Sequence, residues 1–285
     1  MERPYSRREA CTLLAATAAT AAWAQVPEPA GRKLDFRIGD DFGGANAADI
    51  TAVLRSAGDA IWKHCPNTKW NVPGFFIFHS AEHPITVFDH RADGRIAIGL
   101  ATQGTLWSQF AYQFSHEFCH ALAGHADDWR STWIRAKKAN HWLEESFCET
   151  ASLFAMRAMA QSWRTNAPYP NWKSYAESLA SYVADRLSAV AKGKGPDFAF
   201  AGWFRENEPA MRENSTNREK NNVVAVALLP LFEAEPAGWE AMAFFNRCEN
   251  RDPAKTLARH IADWAAAAPE KQRTFIKRVG AIFGV

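Results

Sequence analysis

The chain has 285 residues, with 33 Lys and Arg against 31 Asp and Glu, for a formal net charge of +2. So even a balance gives no electrostatic reason to expect a nucleic-acid partner. Pro and Gly are not clustered and no internal repeat is visible, which excludes low-complexity and solenoid classes.

The amino terminus reads as an export signal. Ser6-Arg7-Arg8 precedes an uncharged run of Ala, Thr and Leu from Ala10 to Ala22, broken only by Cys11. Ala22-Trp23-Ala24 then offers a small-residue cleavage pattern before Gln25. The Arg pair and weakly apolar core resemble a twin-arginine signal, although Glu9-Ala10-Cys11 stands where an aromatic and Leu are usual. Export by the ordinary unfolded route is the alternative. The apolar run is too short to span a bilayer. The expectation is a signal peptide over 1–24 and a periplasmic or secreted protein with no membrane contact after cleavage. About 260 residues then remain, enough for one sizeable core or two small lobes.

Leu34 to Ile38 reads as a strand and Ala45 to Lys63 as an amphipathic helix. Gly74 to Phe78 and Ile85 to Phe88 are aromatic and β-branched, hence strands. Asp93-Gly94 marks a hairpin turn into a further strand, Arg95 to Leu100. The next helix carries Leu106, Phe110, Phe114, Phe118 and Leu122 as an apolar stripe, with Gly124 as its stop. After it, helices are expected over Trp142–Ala160, Trp172–Val190, Lys220–Phe232, Gly238–Arg247, Pro253–Ala266 and Pro269–Phe283.

The striped helix contains His116-Glu117-Phe118-Cys119-His120, an H-E-x-x-H pattern. Residues four apart on a helix point nearly the same way, so both imidazoles can reach one metal ion. Glu117 stands about 100° round from His116, placed beside the metal rather than on it. A carboxylate there can act as general base. It is also the one charged residue between Thr105 and Leu122, and an idle carboxylate on so apolar a helix would be costly to bury. His125 misses the register of a third His ligand by one place, since position 126 is Ala. The other source is the run from Asn140 to Phe154. There Leu143, Phe147, Ala151 and Phe154 share one helix side, and Glu145 and Glu149 share the other at i, i+4.

Trp142-Leu143-Glu144-Glu145-Ser146 resembles the W-L-N-E-G stretch of gluzincin metallopeptidases, whose Glu is the third zinc ligand. The resemblance, which covers Arg95 to Phe154, implies Zn2+ on His116, His120 and Glu145. It implies that Glu149 holds a zinc-bound His by its other ring nitrogen. Glu144 and Glu149 are the fallback ligands. The 24 residues between His120 and Glu145 exceed the gap in thermolysin-like and aminopeptidase members, so no substrate class follows.

The same resemblance implies an α+β, zincin-like fold. A small mixed sheet and the H-E-x-x-H helix would occupy 25–125, and a helical lobe 141–285, within one domain. In such folds the strand before the metal helix lies at the sheet edge and pairs with an extended peptide, a part that Arg95–Leu100 would play. The implied activity is zinc-dependent hydrolysis of peptide or protein substrates, with Glu117 as the base. Arg218 and His141 are candidates for the donor that steadies the oxyanion. The alternatives are a zincin-fold protein that holds zinc but cleaves nothing, binding cell-wall glycan or a protein partner, and an exported helical binding protein without metal.

Four Cys follow the signal: Cys65, Cys119, Cys148 and Cys248. Cys119 lies three after His116 and Cys148 three after Glu145, so the two would meet beside the metal and could form a disulfide. The alternative is two small buried hydrophobes. Cys65 with Cys248 is the remaining pairing. Of the twelve Trp, one lies in the signal and most are expected in the core, exposed Trp that bind glycans or peptides being the alternative.

Overall fold

A computed structural model describes residues 33–68, 74–87, 91–124, 138–192, 194, 197–247 and 252–285. The signal reading over 1–24, His125 and Cys248 lie outside them. The architecture is α+β: a small mixed sheet followed by helices. No helix among the described residues is long and apolar enough to cross a membrane.

The sheet holds β1 (Phe36–Ile38), β2 (Phe75–His79), β3 (Ile85–Val87) and β4 (Ile96–Leu100), in the order β1-β2-β4-β3. β1, β2 and β4 run parallel, and β3 pairs antiparallel with β4, Thr86 opposite Ile98. This corrects the expectation for Arg95–Leu100: β4 is interior, and the short β3 is the sheet edge beside it. The physical reason is legible in β4 itself. All its residues are buried, and a continuous apolar run suits a strand covered on both faces. The turn leading into β4 is present. Gly94 adopts φ 76°, and Asp93 accepts from the Arg95 amide at 3.2 Å.

Helix α1 (Ala47–Trp62) makes the crossover from β1 to β2, capped by Asn46, whose side chain accepts from the Ala48 amide at 2.8 Å. Helix α2 (Trp107–Ala123) follows β4. Its Phe110, Phe114, Phe118 and Leu122 are fully buried. The rings of Phe114 and Phe118 each stand 5.8 Å from that of Phe75 on β2. Leu106 is not part of this stripe. It is the residue before the helix and half exposed, while Trp107 is buried instead.

The remaining helices are α3 (His141–Asn166), α4 (Tyr175–Ala191), α5 (Phe200–Glu213), α6 (Arg218–Ala234), α7 (Leu257–Ala267) and α8 (Glu270–Phe283). Helix α5 has no counterpart among the expected helices. It buries only Phe204 and Met211 and carries Pro209 inside it, so its apolar signal is thin. The Pro236–Arg247 segment is a 3-10 helix rather than an α-helix. It is pressed so tightly on α8 that a Cβ at Gly238 would lie 2.2 Å from the Phe275 ring. One continuous core runs from the sheet through both helical faces. Trp62, Trp107, Trp142, Trp163, Trp239 and Trp264 lie in it, as expected of most Trp here.

Buried histidines make this core sensitive to acid. His260 on α7 is 1 % exposed, its ring 4.8 Å from that of Phe245. Burial, and after it the charge of Lys255, lowers its pKa to about 3. His64 is brought to about 4 by burial and then Lys63. Unfolded His takes up a proton near 6.5, whereas these do so only well below that. Their contribution is therefore complete above pH 6.5 and is lost as pH falls toward their folded values. Denaturant unfolding across pH 7 to 4 should show stability declining. His260→Gln should remove about 1.4 kcal/mol per pH unit of that slope, one proton's worth. An unchanged slope in the variant would refute the assignment.

Candidate metal centre

Helices α2 and α3 lie against each other and run antiparallel, as the pairs Tyr112–Glu149, His116–Glu145 and His120–His141 show. The i, i+4 spacing on each helix turns its polar side chains into the shared seam. His116 Nε2 stands 3.4 Å from Glu145 Oε2, and His120 Nε2 stands 3.6 Å from Glu145 Oε1. The two imidazoles thus aim the same nitrogen at one carboxylate.

Their other nitrogens face outer carboxylates. His120 Nδ1 is 2.9 Å from Glu144 Oε1, and His116 Nδ1 is 3.8 Å from Glu149 Oε1. Glu144, one of the two fallback ligands, is therefore behind His120 rather than in front of it. It is fully buried and held by Lys138 Nζ at 3.0 Å and Asn246 Nδ2 at 3.1 Å. Glu149 accepts from the Tyr112 hydroxyl and sits 3.2 Å from Arg218 Nε. Its Oε1 faces His116 Nδ1, at a distance beyond a direct hydrogen bond.

Charges in the seam are strongly coupled. Burial would raise the pKa of Glu145, but His120 and His116 outweigh it and hold the carboxyl far below the usual range. Glu144 is likewise brought down to about 2, against burial, by Lys138 and His120. Burial alone would lower His120, yet Glu145 and Glu144 raise it well above an ordinary imidazole. His116 rises by the same balance, through Glu145, Glu149 and Glu117. Of the four carboxylates, Lys138 answers Glu144 and Arg218 answers Glu149. Glu117 and Glu145 have no Lys or Arg partner among the described residues. Without a metal, the two imidazoles answer Glu145, each holding the other's charge in place.

Glu117 is buried, and its Oε2 accepts from the Thr86 hydroxyl at 2.8 Å. The same hydroxyl lies 3.0 Å from the Glu117 carbonyl oxygen. Edge strand β3 thereby positions the carboxylate of α2. A cleft of about 160 Å³ opens here, lined by Glu117, His116, Glu145, Glu149 and Arg218, among others. Arg218 sits at the start of α6, where Asn217 caps the helix.

Donor atoms of His116, His120 and Cys148 also lie within 4.8 Å of one another, a group that could hold a metal ion. Burial, then the neighbouring Cys119 and the carboxylates, raise the Cys148 thiol well above the ordinary value, a cost that a metal ion would have to offset to take the thiolate, whereas the histidines already hold Glu145 as a carboxylate. Cys119 and Cys148 do meet, as the shared spacing suggests, their thiols within hydrogen-bonding reach, but both are free and fully buried.

Three residues of the site, Lys138, Asn246 and Thr86, carry no sequence signal. None sits at a helical interval from the site, and only Lys138, six before Glu144, lies close in sequence. Compared with models of known families, with curated proteins and with solved structures, the chain matches none of them.

Proposed function

We propose that this protein is a zinc-dependent peptidase of gluzincin type, with His116, His120 and Glu145 as metal ligands and Glu117 as general base. The observation that supports it is that His116 Nε2 and His120 Nε2 stand 3.4 and 3.6 Å from the two oxygens of one carboxylate, that of Glu145. Ligand bonds of about 2.0–2.2 Å in a tetrahedron put donors about 3.3–3.6 Å apart. Glu144, 2.9 Å behind His120, supplies the support that metal-bound His usually has, and Glu149 stands 3.8 Å behind His116. All donors are nitrogen and carboxylate oxygen, a set that suits zinc.

Zinc bound there would supply a Lewis acid that polarises a scissile carbonyl and acidifies water near neutral pH. The chain's own residues do the rest. Glu117, steadied by Thr86, takes a proton from the attacking water and delivers it to the leaving amine. An extended peptide can add to the outer edge of β3, whose Ile85 is exposed, and so pass along the cleft. Arg218 faces the same cleft and is placed to donate to a developing oxyanion.

The test is cleavage of an unbiased peptide library by purified protein, with metal content measured. Zinc near one per chain is expected, with hydrolysis stopped by chelation and restored by added zinc. Protein purified without zinc, and unable to take it up, would refute the metal assignment. Full zinc with no cleavage across the library and across pH would leave a zinc-holding binding protein instead.

A further inference from the structure

Glu145 faces three imidazoles rather than two. His141 lies one turn earlier on α3 and places Nε2 3.4 Å from Glu145 Oε1. His116 Nε2 keeps the same 3.4 Å from Oε2. The outer nitrogen of His141 is engaged too, Nδ1 lying 3.1 Å from Ser215 Oγ. Each of the three rings therefore turns Nε2 inward to one carboxylate and Nδ1 outward to a side-chain oxygen. The rings of His120 and His141 are 6.4 Å apart, against 5.1 Å between those of His116 and His120.

We propose that His141 is a fourth protein ligand, so that the metal is held by His116, His120, His141 and Glu145. This rests on the zinc reading above and adds a ligand to it. Cleft geometry gives the fourth ligand its place. The cleft is bordered by His116, Glu117, Glu145 and Arg218, but not by His120 or His141. His141 would approach from the side away from the cleft. The side toward Glu117 stays clear for substrate and water, and zinc tolerates a fifth partner. Its seat is also the reason it does not serve as an oxyanion donor, which must reach the cleft. Two i, i+4 pairs on antiparallel helices, His116 with His120 and His141 with Glu145, then clamp one ion from both sides.

Zinc X-ray absorption of the wild-type protein counts imidazoles directly and needs no variant. Three His bound to zinc are expected; two would overturn the proposal. His141→Ala should weaken zinc in chelator competition by more than the about 10–100-fold that loss of an outer partner costs. In cobalt-substituted protein, the visible bands should gain intensity in this variant, as coordination number falls. Wild-type zinc affinity with unchanged cobalt bands would equally overturn the fourth ligand. Wild-type zinc affinity in His116→Ala or in Glu145→Ala would instead sink the underlying site, so the two failures are separable.

Discussion

Glu117→Gln should leave zinc content unchanged and lower peptide hydrolysis by about 10²–10⁴, the usual contribution of a positioned acid–base group. Glu117 stands off the face shared by His116 and His120, and its Oε2 is occupied by the Thr86 hydroxyl at 2.8 Å. Gln keeps the shape and an oxygen for that hydroxyl, but an amide cannot take up the proton of a water. The comparison needs initial rates on one library-derived peptide, and zinc measured on both proteins. Equal rates would remove Glu117 as the base. Loss of zinc would mean that it is a ligand.

Glu145→Ala should weaken zinc well beyond 100-fold, whereas Glu144→Ala and Glu149→Ala should weaken it only about 10–100-fold, the cost of losing an outer partner. The ordering follows from which nitrogen each carboxylate faces. Glu145 meets Nε2 of both histidines, while Glu144 and Glu149 stand at the Nδ1 side. Glu144→Ala carries a second effect. It removes the carboxylate paired with Lys138, whose side chain is only 9 % exposed and keeps Asn246 Oδ1 at 3.1 Å, and breaking a buried pair typically costs about 3–5 kcal/mol. This variant should therefore unfold at lower denaturant than Glu149→Ala, whose partner Arg218 is more than half exposed and can turn to solvent. Chelator competition and urea titration on the three variants check both orderings. Zinc retained in Glu145→Ala but lost in Glu149→Ala would mean that the ligand lies one turn further along α3.

Much of the site is legible in the amino-acid sequence because it is local. The interval between His116 and His120, and between Glu145 and Glu149, is set by the helix repeat. A helix turns its i and i+4 side chains together wherever it packs. The buried Phe110, Phe114 and Phe118 show which face of α2 meets the sheet, and that face follows from the same periodicity. The meeting of Cys119 with Cys148 follows too, each being three residues beyond a group in the seam. What only the tertiary structure decided lies across longer stretches of chain. Thr86 reaches Glu117 from 31 residues away, and Asn246 reaches Glu144 from 102. Glu144 and Glu145 are neighbours in sequence, yet one stands behind His120 and the other before it. The interior place of β4 depends on β3 folding back against it, which periodicity within β4 does not encode. The physical reason is the same throughout. Spacing along a helix is fixed by backbone hydrogen bonds inside one segment. The partner of a buried charge is chosen by how separate segments pack to cover apolar surface and satisfy that charge together.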